Sequence, residues 1–94
     1  GLTECLEIIG LAEAMGWSRT RVVPHGGHQM GLHMAIGLGL GGTESYPGVF
    51  RPYGGFADAA EIVNGLIKPP QEPGLGIEAK SELFADIQRN LGID

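Results

Sequence analysis

A short apolar run, Arg21-Val22-Val23, is cut off by Pro24-His25-Gly26-Gly27-His28-Gln29, and the stretch that follows is apolar on almost every side. No other feature leaves so few folds open. Proline lacks the backbone donor that a central strand needs, so the run reads as a short strand over 21–23 that Pro24 ends. The two glycines then turn the chain with no side chains in the way. Met30, Leu32, Met34, Ala35, Ile36 and Leu38 cover most of the circumference of a helix over 28–38, which predicts that it is largely buried. Gly31 and Gly37 each cost about 1 kcal/mol there relative to alanine, and close approach of helix to strand is the usual compensation.

The flanking segments extend the pattern. Residues 3–15 read as an amphipathic helix, with Thr3 as N-cap, Glu4 and Glu7 where the helix dipole favours acids, and Gly16 as the stop. Cys5, Ile8, Ile9, Ala12 and Met15 recur at helical spacing and predict its buried face. After Gly39 to Gly42, Thr43-Glu44-Ser45-Tyr46 reads as another short strand, and residues 47–58 as an irregular loop. Ile62-Val63 and Leu66-Ile67 flank Asn64-Gly65, the strongest short-range hairpin signal. Pro69, Pro70 and Pro73-Gly74 end that hairpin. A last helix over 81–90 is predicted, with Ser81 as cap, Leu83, Ile87 and Leu91 on one face and Gly92 as the stop. Helix, strand, helix, strand is the alternation of a parallel β/α unit. Two parallel strands cannot cover both of their own faces, so the pattern implies further partners.

Composition narrows the function. A net charge of −5, with arginine and lysine scattered, argues against nucleic acid or an anionic membrane as partner. No apolar run approaches the roughly 20 residues that span a bilayer. A single cysteine, Cys5, forms no internal disulfide and suits a reducing compartment, so the expected location is cytoplasmic. The chain starts at Gly1 with no methionine and no basic leader, and enters a helix almost at once, which reads as a piece of something larger.

His25 is the first candidate for chemistry. Histidine's ordinary pKa lies nearest to neutrality, and the end of a strand is where β/α barrels place proton-transfer groups. The alternative is a turn histidine bonded to a neighbour. His28 lies three residues on and His33 five further, which invites a metal reading, but a zinc site needs three or four ligands with supporting partners. Inside an apolar helix, His33 reads as a satisfied core histidine. Glu44, at the second expected strand end, is either a carboxylate at the mouth of the site or a solvated loop acid. Tyr46, Phe50, Tyr53 and Phe56 either line a substrate or subunit contact or pack the loop on itself. Gly37-x-Gly39-x-Gly41-Gly42 superficially resembles a nucleotide fingerprint, but it follows a helix instead of opening one.

The segment PHGGHQMGLHMAIGLGLGGTESYPGVFRPYGGFAD, residues 24–58, resembles the C-terminal part of the enolase superfamily, in its mandelate racemase branch, and within that branch most closely the D-tartrate dehydratases. Gly1-Leu2-Thr3-Glu4 resembles the start of the helix after the sixth barrel strand. Leu66-Ile67-Lys68-Pro69 and Pro73-Gly74-Leu75-Gly76-Ile77-Glu78 resemble the tail that returns to the capping domain.

The resemblance implies an α/β fold, the C-terminal fragment of a modified TIM (β/α) barrel. Residues 1–58 would hold the last β/α units and residues 59–94 the hairpin and helix that complete the capping region. It implies abstraction of the proton α to a carboxylate of a small hydroxy acid, with Mg²⁺ stabilising the enediolate. His25 matches the histidine of the seventh strand, which protonates the leaving β-hydroxyl. In these relatives that histidine is followed eight residues later by another, as His25 is by His33. Glu44 matches the glutamate of the eighth strand, which hydrogen-bonds the substrate carboxylate or enediolate, in protonated or hydrogen-bonded form. His28 and Gln29 are expected at the substrate. The aspartate that holds the histidine, the three carboxylate metal ligands and the lysine base belong to earlier strands. Mg²⁺ is therefore expected on residues outside this chain, with no metal ligand within it. The expected partners are the substrate and the remainder of the barrel, with a homo-oligomer once complete.

Overall fold

The structure, a computed structural model, describes residues 1–93. Helix α1 spans Leu2–Ala14. Gly1 stands at its N-cap without a side-chain cap, and the expected cap Thr3 lies inside the helix. The chain leaves the helix through Met15 and Gly16, as expected, with Trp17 N–H returning to Ala12 O at 2.9 Å. Ile9 is buried, but Cys5 and Ala12 are only half-buried, and Ile8 and Met15 are exposed. The expected buried face is therefore mostly bare. Among the elements, α1 packs chiefly against the turn at 19–21, which covers one end of it.

No strand forms at 21–23 or at 43–46. Residues Arg19–Arg21 make a single 3₁₀ turn, with Ser18 Oγ accepting from Thr20 N–H, and Val22 beyond it is extended. The two segments still lie side by side. Gly41 N–H donates to Val22 O at 2.9 Å, Gly26 N–H to the Glu44 side chain, and Tyr46 N–H to Gly27 O at 3.5 Å. These pairings advance together along both segments, so they run parallel. A ladder does not develop, because a parallel pair needs flanking strands and covered faces.

Helix α2 spans Gln29–Leu38 and closes on Gly39 in the left-handed conformation. Its inner side buries Gln29, Gly31, Leu32 and Ala35, whereas Met30 and Ile36 are exposed, so it is less buried than its composition predicts. Gly31 shows the expected close approach: an added Cβ would lie 3.3 Å from Thr43 Oγ1 and 3.6 Å from Pro24 Cβ. Gly37 has open space around it and no such reason.

The hairpin forms where the sequence places it. Strand β1, Ile62–Val63, pairs antiparallel with β2, Leu66–Ile67, in the register Ile62 to Ile67 and Val63 to Leu66. Asn64 and Gly65 both have positive φ, at 52° and 74°, as a two-residue type I′ turn requires. A 3₁₀ turn at Ile77–Ala79 leads into α3, Ser81–Leu91, which ends on left-handed Gly92. Ser81 is not its cap. Ser81 N–H instead donates to Asp58 Oδ2 at 3.1 Å, so an acid from the preceding loop caps the helix.

The apolar core is thin: among the described residues Ile9, Leu32, Ala35 and Leu83 are its buried members. The chain exposes 6532 Å², against about 5,200 Å² for a folded monomer of this mass. Its extents are 48 × 32 × 25 Å and its radius of gyration is 14.5 Å, where a domain of this length has about 13 Å or slightly less. No helix among the described residues is long and apolar enough to cross a membrane.

Candidate active site

The corner that opens α2 brings two of the expected site residues together. His25 Nδ1 lies 2.8 Å from Glu44 Oε2, and Gly26 N–H donates to the same oxygen at 2.9 Å. The His25 side chain is 84% exposed and that of Glu44 is 34% exposed. A carboxylate facing Nδ1 accepts a proton held there, which leaves Nε2 as the ring nitrogen open to a reactant. When the ring is protonated, the contact is an ion pair.

Glu44 is held as a carboxylate. Its carboxyl lies below the ordinary value of 4.5, first because Gly26 N–H bonds it; burial pushes the other way, and the Tyr46 phenol and the His25 ring add to the lowering. The same carboxylate raises the Tyr46 phenol. The Tyr46 ring also meets the His25 ring edge-on, with centroids 6.2 Å apart, and Phe50 edge-on at 6.4 Å. Tyr46 therefore acts on both members of the pair, on Glu44 through its phenol and on His25 through its ring. Phe50 and Tyr53 lie exposed in the loop beyond, and Phe56 is half-buried.

Gly27 fits this corner because nothing larger can. Its φ is +56°, and an added Cβ would fall 2.6 Å from Tyr46 N and 2.9 Å from Ser45 Cα. The backbone of the His25 corner thus rests directly on the segment that carries Glu44.

The other expected site residues have internal roles. His28 is the N-cap of α2, its Nδ1 accepting from Gly31 N–H at 3.1 Å. Gln29 is 2% exposed, and both ends of its amide are used within the chain: Nε2 donates to Leu75 O at 3.0 Å and Oε1 accepts from Ala57 N–H at 3.2 Å. Gln29, expected at the substrate, ties α2 to two distant loops. His33 is half-buried with its Nε2 covered and unpartnered among the described residues, so it is not the satisfied core histidine that the sequence suggested.

Two residues escaped the sequence reading. Lys80 is buried, at 6% exposed, and gives its ammonium to three carbonyls. Asp58 caps α3. Lys80-Ser81-Glu82 reads as an ordinary polar lead-in to a helix, and nothing local marks the lysine as buried.

A cleft of about 530 Å³ lies between the 45–58 loop and the start of α3, and neither His25 nor Glu44 lines it. Its charges are already matched: Arg51 pairs with Glu82 at 2.8 Å, Lys80 with the carbonyls and Asp58 with Ser81 N–H. The exposed His25–Glu44 pair is chemically the better candidate. Among the described residues no three His, Cys, Asp or Glu side chains gather closely enough to hold a metal ion.

The pair thus sits where a proton-transfer group is expected, at a glycine corner between an extended segment and a helix, with a carboxylate from the next extended segment. Residues 1–83 match the model of the enolase C-terminal domain-like family, and the chain belongs to that family.

Proposed function

We propose that this chain carries the acid of a hydroxy-acid dehydratase that converts D-tartrate to oxaloacetate, as the last part of a modified β/α barrel. The observation that carries the reading is the 2.8 Å contact between His25 Nδ1 and Glu44, on a ring whose other nitrogen is open. Residues 1–58 would supply the final β/α units and residues 59–94 the tail to the capping region. The bare apolar faces of α1 and α2 support this, since earlier barrel elements would cover them.

A base from outside the chain takes the proton α to the substrate carboxylate. His25 gives its Nε2 proton to the β-hydroxyl, the C–O bond breaks and water leaves. The enol left behind tautomerises to the keto acid. A leaving hydroxyl needs such a proton, and a positioned imidazolium supplies it. Mg²⁺, when bound, supplies charge stabilisation to the enediolate. In this reading its ligands are carboxylates of the earlier barrel strands, outside residues 1–94.

The sequence reading left two forms of Glu44 open, and the ionised one changes its part. An ionised carboxylate repels a developing enediolate, so we assign Glu44 to the His25 ring, where it fixes Nδ1 and balances the imidazolium. Alone, the chain is expected to be inactive.

The test uses the assembled enzyme with Mg²⁺ and D-tartrate in D₂O. His25→Asn keeps a donor near the Nδ1 position but loses the acid. Dehydration should disappear while α-proton exchange persists. Equal loss of both would remove His25 from an acid-only role. Turnover of a different acid sugar, or racemisation, would move the assignment to another activity of the same superfamily.

A further inference from the structure

We infer that Lys80 is a positioning residue for the His25–Glu44 pair. Its Nζ lies 2.8 Å from Gly54 O, 3.1 Å from Gly55 O and 3.3 Å from Phe56 O, which uses all three ammonium protons. Among the described residues it makes no salt bridge within 4.0 Å; Asp58 and Glu82 act on it only through their charge. A buried cation is costly unless its protons are matched. Here the matching groups are three successive carbonyls of one loop, so removing the cation leaves all three without a donor.

That loop reaches the site in two further steps. Gly55 N–H donates to Gly27 O at 2.7 Å, and His28 forms backbone bridges with Gly54 and Gly55. Gly27 follows Gly26, whose N–H holds Glu44, which in turn holds His25. The line from Lys80 to His25 consists of covalent bonds and hydrogen bonds of 3.1 Å or less. It has little slack, because Gly27 packs against Tyr46 N, and Gln29 Oε1 fixes the far end of the loop through Ala57 N–H. A side chain that only filled space would leave the carbonyls free to turn to water and let the Gly27 corner relax.

The catalytic meaning of this inference rests on the proposed dehydratase reading, but the geometry is testable without it. Lys80→Met keeps length and removes the cation. Ile9→Ala, a buried change on α1 remote from this line, is the stability control. In the assembled protein, Lys80→Met should lose the hydrogen-bonded Nδ1–H resonance of His25. It should also speed amide exchange at Gly26 and Gly55 by about tenfold or more, as a local opening would. Catalysis should fall in kcat with KM little changed. Ile9→Ala, at similar loss of stability, should keep the resonance and the protection. If Lys80→Met does not fold, Lys80→Gln, which can serve at most two of the three carbonyls, replaces it, with the same changes expected in smaller degree. A folded variant with the His25 resonance and Gly26 protection unchanged overturns the inference. Loss of both in a protein that never dehydrates D-tartrate supports the positioning role and overturns the dehydratase reading instead.

Discussion

At the scale of single residues, Glu44 decides how the site behaves. Its carboxyl is lowered in the folded chain, chiefly by Gly26 N–H, so the contact stabilises the fold above the ordinary carboxylate value of 4.5. That contribution fades as the pH falls below 4.5 and through the folded value. Thermal midpoints measured across that range should fall more steeply for the native chain than for Glu44→Gln. Parallel curves would mean that Glu44 is not held as described. Gly27 offers a second test. Gly27→Ala would place a Cβ 2.6 Å from Tyr46 N in a left-handed backbone, and should cost about 1–3 kcal/mol by denaturant titration. His25 stood out because it follows Val22-Val23-Pro24 and precedes a glycine pair, and Glu44 because it follows Gly41-Gly42 at the next expected extended segment. Gln29 and Lys80 did not, because their partners lie 46 and 25 residues away along the chain and leave no local trace.

At the scale of elements, legibility followed how far each element is determined by its own sequence. The β1–β2 hairpin rests on two residues with positive φ, and Asn64-Gly65 announces them. The three helices form near the expected places because each carries its own period and its own glycine or turn at the end. The two short strands do not form, since a parallel strand depends on neighbours that this stretch of chain does not contain. Capping of α3 separates sequence from structure most sharply. Ser81 looks like a cap, but Asp58 accepts the Ser81 N–H, and the Ser81 hydroxyl first, then its N–H, keep the Asp58 carboxyl low. Asp58→Ala should therefore lower the urea midpoint more than Ser81→Ala, which removes the hydroxyl but keeps the capped N–H. The reverse order would restore Ser81 as the cap.

At the scale of the whole molecule, much apolar surface is left uncovered. Ile8, Leu11 and Met15 on α1 and Val63 and Leu66 on the hairpin are exposed, and the surface exceeds that of a folded monomer by about a quarter. The family match accounts for such a surface if the rest of a barrel lies against it. The central claim is thus that His25 and Glu44 act in a site completed by other polypeptide. Native mass spectrometry of the protein purified from its source tests it most directly. The account predicts a particle several-fold heavier than 9.9 kDa that contains polypeptide beyond these residues. A stable, soluble particle of 9.9 kDa, or of whole multiples of that mass with no other polypeptide, would contradict it.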